Sequence, residues 1–158
     1  MKKNYYYIIM SQIDFLENQV IEEIIREKAT FYKIQNKKRD FWILIQPTFL
    51  QTFNLEKTIQ KSRFYQQNEK RIKNSNEDFY ATIISTEKKF LDWIELRTGS
   101  FEDMKTINEE QKTGTSNGLK GEFSSLEDFS PLSFQKERIH PKRKMEKYQK
   151  GFSFLSQK

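Results

Sequence analysis

Tyr5-Tyr6-Tyr7-Ile8-Ile9-Met10 is a run of six bulky aromatic or apolar residues without a charge among them. In an extended chain successive side chains point to opposite faces, so this run is apolar on both. It predicts a strand in the middle of a sheet. Phe41-Trp42-Ile43-Leu44-Ile45 reads as a second buried strand, stopped by Pro47, which cannot donate to a ladder. Phe79-Tyr80-Ala81-Thr82-Ile83-Ile84-Ser85 is a third, and Gly121-Glu122-Phe123 begins a short fourth.

Between the strands the period changes. From about Asn18, Val20, Ile21, Ile24, Ile25, Phe31 and Tyr32 fall on one stripe with Glu22, Glu23, Arg26 and Glu27 opposite, which predicts an amphipathic helix. Phe90, Trp93, Ile94 and Arg97 share a face of a second helix, with Ser85 or Thr86 placed to cap it and Gly99 to end it. Apart from a short helical stretch at Leu55 to Gln60, residues 51–78 are poor in apolar side chains and read as a solvated excursion. The resulting class is α+β, a small mainly antiparallel sheet of three to four strands with helices packed on one face. One domain is expected over residues 1–131, with polar loops near 61–78 and 102–120, followed by a basic C-terminal extension at 132–158.

The net charge of +6 points to nucleic acid only until it is located. Residues 1–131 carry 20 basic and 20 acidic side chains, whereas residues 132–158 carry 8 and 2, so all of the excess lies in the extension. There Lys136, Arg138, Lys142, Arg143, Lys144, Lys147 and Lys150 are interleaved with Tyr148, Phe152 and Phe154. Two readings stand side by side: a disordered solubilising tail, or a segment that binds RNA or an anionic membrane surface.

Catalytic chemistry finds few residues to use. Cysteine is absent, which excludes disulfides, thiolate nucleophiles and every metal site with Cys ligands. Glu137-Arg138-Ile139-His140 has the Glu-x-x-His spacing of di-iron carboxylate sites, but such a site needs two copies, and His140 is the sole histidine and precedes Pro141. All five glycines lie at or beyond Gly99, so neither a P-loop nor a dinucleotide fingerprint is present. No catalytic residue, metal or cofactor is expected. The apolar runs are far shorter than the ~20 residues of a membrane span, and Met1-Lys2-Lys3-Asn4 leads directly into a strand, with no signal or transit segment. The chain is expected to act where it is made, or to be already processed. Ala29 and Ala81 are the only alanines while Lys, Asn, Ile, Phe and Tyr abound, the bias of an AT-rich genome such as an organelle's.

A series of short stretches occurs in a familiar order: Tyr5-Tyr6-Tyr7, Ser11-Gln12, Glu22 to Glu27, Asp40-Phe41-Trp42, Gln46-Pro47-Thr48-Phe49-Leu50, Ile84-Ser85-Thr86 and Leu96-Arg97. Together they resemble the Ycf-type accessory factors of the aerobic magnesium-protoporphyrin IX monomethyl ester cyclase of cyanobacteria and plastids. The resemblance covers residues 5–50 and 79–97, with Gly121-Glu122-Phe123 continuing it. It implies a non-catalytic α+β protein that binds the membrane-associated di-iron cyclase subunit, in the plastid stroma or in a cyanobacterial cytoplasm. It also implies partner contacts at Asp40, Phe41 and Arg97, with Phe41 as an exposed aromatic anchor flanked by charges and Trp42 in the core. The sequence departs from the family at 61–78, at 102–120 and after Pro131. The alternative is a nucleic-acid-binding module that uses the basic tail.

Overall fold

The computed structural model describes residues 2–38, 40–45, 49–74, 79–107, 115–126 and 129–131. In chain order the elements are β1 (Lys2–Ser11), α1 (Gln12–Glu17), α2 (Gln19–Ile34), β2 (Phe41–Ile45), α3 (Phe49–Thr52) and α4 (Glu56–Gln60). They continue with α5 (Arg63–Asn74), β3 (Tyr80–Ser85), α6 (Lys88–Thr98), β4 (Glu102–Asp103) and β5 (Leu119–Leu126).

The strands form one sheet in the order β2-β3-β1-β5-β4. β1 is interior, as its two apolar faces require, and pairs antiparallel with β3 (Ile8 opposite Ile83) and with β5 (Tyr7 opposite Gly121). β2 pairs antiparallel with β3, Ile43 opposite Ile83, while the two-residue β4 joins β5 in parallel. The mainly antiparallel α+β class therefore holds, with β4 adding a fifth strand too short to show in a hydrophobic pattern.

Register sorts the strand residues onto two faces. Ile8, Met10, Phe41, Ala81 and Ile83 face α1, α2 and α6. Tyr5, Tyr7, Ile9, Leu44 and Ile84 face the other way, where Leu50 of α3, Ile59 of α4 and Phe64 of α5 meet them. Helices thus cover both faces rather than one, and residues 63–74, expected as loop, are helix. Two continuous apolar faces on the central strands leave the sheet no solvated side, and the polar-looking insertion supplies the second cover.

Local capping fixes the joints. Ser11 Oγ accepts from the Asp14 N–H at 3.0 Å, and Asn18 Oδ1 accepts from the N–H groups of Val20 and Ile21 at 3.0 and 3.1 Å, satisfying donors that a helix start leaves open. α2 ends in a Schellman motif: Asn36 has φ 53°, the Lys37 N–H donates to the Tyr32 carbonyl at 2.9 Å, and the Asn36 N–H donates to the Lys33 carbonyl at 3.3 Å. Ser85 caps α6 differently from expectation. Glu87 is the N-cap residue, and Ser85 Oγ accepts its N–H at 3.0 Å. Gly99 closes α6 at φ 123°, and a Cβ there would collide with the Asn117 amide, so only glycine fits.

Candidate docking surface

The residues that the resemblance implies all bear on α6. Asp40 precedes β2, and its carbonyl accepts the Thr86 N–H at 3.1 Å, tying it to the chain that leads into α6. Phe41 is 1 % exposed, so it is no surface anchor. Its ring packs at 5.4 Å from Phe90 of α6 and 6.3 Å from Tyr32 of α2, because its position on β2 turns it toward the helices. Trp42 points to the opposite face, half-buried beside Tyr5 at 6.0 Å.

Around Asp40 lies a charged cluster. Lys28 Nζ sits 2.9 Å from Glu87 Oε2 and over the rings of Phe90 (4.5 Å) and Tyr32 (4.8 Å). The Lys28 ammonium holds the Glu87 carboxyl below the usual carboxylate range. Burial, then the neighbouring Asp40 and Glu87 carboxylates, push the Tyr32 phenol up, so it stays a neutral donor. Its hydroxyl donates to Glu87 Oε2 at 3.5 Å, while Asp40 Oδ1 is buried and accepts no hydrogen bond. The cluster contains no nucleophile paired with a base, and among the described residues no group of three or more metal-ligating side chains occurs.

Arg97 lies elsewhere, in the last turn of α6. At 1.5 Å per residue it is ~14 Å along the axis from the start of that helix, so the structure does not bring it to Asp40 and Phe41. Its guanidinium stacks over Trp93 at 5.5 Å. Trp93 is 45 % exposed and Leu96 76 % exposed. Phe90, Leu91 and Ile94 form the buried side of α6, so Trp93 belongs to the outer face rather than to the apolar stripe with Phe90 and Ile94. Arg97 makes no ion pair within the described fold. Spacings of three and four put Trp93 on one helical face with Phe90, Ile94 and Arg97, but the structure turns Trp93 outward. Leu96, an apolar residue off that stripe, is the sequence signal that marks this outer face.

The outer face of α6 thus carries one indole, one isobutyl group and one guanidinium without an ion pair among the described residues. Comparison with known proteins gives the family. Residues 3–105 match the model of the family described as "Ycf54 protein". The chain belongs to the Ycf54 family. A Ycf54-like protein of Synechocystis is 36 % identical over 103 residues, covering 62 % of this chain and 67 % of that protein. The ycf54 protein of Porphyra purpurea is 31 % identical over 111 residues, covering 67 % and 90 %.

Solved Ycf54 structures share the fold. That from Synechocystis aligns with a TM-score of 0.51 at 27 % identity, over 81 % of this chain and 91 % of its own. That from Thermosynechococcus elongatus gives 0.50 at 27 %, over 87 % and 99 %. Ycf54 homologues come from cyanobacteria and plastid genomes, which fits a plastid or cyanobacterial setting, and the names of these relatives denote no enzyme. Among the described residues no helix is long and apolar enough to cross a membrane. The basic extension at 132–158 and the Glu137/His140 pair lie outside the described residues.

Proposed function

We propose that this Ycf54-family chain is a non-catalytic accessory subunit of the magnesium-protoporphyrin IX monomethyl ester oxidative cyclase of chlorophyll biosynthesis, and that it acts by docking onto the di-iron subunit. Family membership supports the pathway, and the observation that carries docking is the exposed Trp93–Leu96–Arg97 face of α6. An aromatic, an aliphatic and a cation without an internal counter-ion make a small hot spot that calls for a partner surface bearing a carboxylate beside apolar groups.

Asp40, Phe41 and Arg97 then take two roles. Arg97 touches the partner. Phe41 and Asp40 act through α6, the first by packing on Phe90 and the second by holding Thr86. The chain works in the plastid stroma, or in the cytoplasm of a cyanobacterium, and meets membranes through its partner.

Capture of the di-iron subunit from solubilised photosynthetic membranes tests this. Trp93→Ala and Arg97→Ala should each weaken capture by roughly 30-fold, a hot-spot loss of ~2 kcal/mol, with stability within ~0.5 kcal/mol of the parent. Capture unchanged by both substitutions removes the surface assignment, and failure of the parent chain to capture that subunit removes the function.

A further inference from the structure

The C-terminal end of α2 carries a second unabsorbed surface, at the opposite end of the helical layer from Arg97. Phe31 and Ile34 are three residues apart, hence on one helical face, and are 49 % and 73 % exposed. Lys33, Lys37 and Lys38 surround them, all exposed. None of the three has a carboxylate within ion-pair distance. The Schellman turn folds Lys37 back so that its ammonium stands 5.6 Å over the Phe31 ring.

Neighbouring charge does not cancel these lysines. α2 and α6 run antiparallel: Tyr32 late in α2 meets Glu87 at the start of α6, while Ile21 early in α2 lines one cavity with Thr98 at its end. The Glu87 carboxylate is paired with Lys28 at 2.9 Å, and Lys37 acts on it only as a lesser, more distant charge. Exposed Lys89 adds a further cation near the start of α6. Two acids without an ion pair lie near the tip, Glu27 one turn back from Phe31 on α2 and Asp40 two residues after Lys38, against the three lysines.

We propose that this tip binds an anionic bilayer surface directly, with Phe31 and Ile34 entering the headgroup boundary and Lys33, Lys37 and Lys38 meeting the lipid phosphates. Its composition selects this occupant over two others. Protein interface centres are depleted in lysine, whereas a ring of lysines around a few exposed apolar groups is how interfacial membrane contacts are built. Single-stranded nucleic acid is gripped by aromatic stacking, for which Ile34, the more exposed of the pair, has no π-face. The tip lies by the start of α6, whereas Trp93 and Arg97 lie ~7 and ~14 Å further along that helix, so the two surfaces are distinct. The inference does not depend on the cyclase reading.

The full chain is to be sedimented with vesicles of phosphatidylcholine alone and with vesicles containing one third phosphatidylglycerol. Binding is expected only to the anionic vesicles and should weaken with salt. Phe31→Ser with Ile34→Ser should lower partitioning about tenfold. Reversing Lys33, Lys37 and Lys38 to Glu should lower it by about a hundredfold or more, given about fivefold per lysine. In a Phe31→Trp chain, indole emission should move to the blue on adding anionic vesicles only. All these positions are exposed, and unchanged far-UV circular dichroism verifies that the fold is kept. Failure of the parent chain to bind anionic vesicles overturns the proposal. So does binding that both surface variants retain, which assigns it to the basic extension. Patch variants that lose capture of the di-iron subunit while vesicles are ignored make the tip a protein surface, and the proposal fails.

Discussion

Thr82 Oγ1 is fully buried on β3 and has no hydrogen-bond partner. A hydroxyl taken from water without a replacement bond costs ~1–3 kcal/mol, and its cross-strand neighbours Ile9 and Leu44 are both aliphatic. Thr82→Val should therefore stabilise the fold by roughly 1 kcal/mol, read as a raised denaturant midpoint at constant slope. Phe41 sits at the other extreme, filling space between Tyr32 and Phe90. Truncating a buried ring costs ~3–5 kcal/mol, a large share of the ~5–15 kcal/mol a domain has. Phe41→Ala should lower the unfolding midpoint steeply and lose partner capture with it, whereas Phe41→Leu should recover most of both. Arg97→Ala should lose capture alone. The contrast between these variants, measured by chemical denaturation alongside capture, separates a residue that touches the partner from one that supports the helix touching it.

At the scale of elements, α5 is the piece the sequence conceals. Phe64 is buried, while Tyr65 and Ile72 are only half-buried, so the apolar stripe is narrow and the segment reads as solvated. Polar contacts hold its start. Ser62 Oγ accepts the Tyr65 N–H at 2.9 Å, and the Glu102 carboxylate accepts the N–H groups of Arg63 and Phe64 at 3.0 and 2.9 Å. Glu102 is 3 % exposed, and the positive end of α5 together with Arg63 Nε at 3.8 Å makes burial of its charge tolerable. That contact spans 38 residues, and no local pattern announces it. By contrast β1, α2, β2, β3 and α6 were legible because period and composition fix them locally. The helix at Arg97 was legible, but the outward turn of Trp93 and the inward turn of Phe41 depend on which helix covers which sheet face. Glu102→Ala should cost ~1–3 kcal/mol, and amide exchange should speed up in residues 63–74 well before it does in β1 and β3. Uniform acceleration across the sheet would mean that α5 does not open as a separate unit.

For the whole molecule, helices on both sides of a five-stranded sheet close off β3 and the second half of β1, and the aromatic residues record that closure. Tyr5, Tyr7 and Tyr32 are at most 9 % exposed, and Tyr80 is half-buried between Phe79 and the β2 side of the sheet. Burial pushes all four phenols up, aided by Asp103 at Tyr7, by Asp40 and Glu87 at Tyr32, and by Tyr65 and Glu56 at Tyr80. A phenol with a raised folded-state pKa binds its proton more tightly in the fold than in the unfolded chain. The stability this contributes is complete below about pH 10, the unfolded value, and is lost as pH rises from there toward the folded value. Absorbance titration of tyrosinate should show only part of the seven tyrosines ionising near pH 10 in the native chain, and all of them near that midpoint in denaturant. Unfolding free energy should stay flat to about pH 10 and then decline, and Tyr32→Phe, which keeps the ring against Phe41, should make that decline shallower. If every native phenol followed the denatured curve while the sheet stayed intact by circular dichroism, solvent would have to reach both faces of the central strands. That result would contradict the second helical layer formed by α3, α4 and α5.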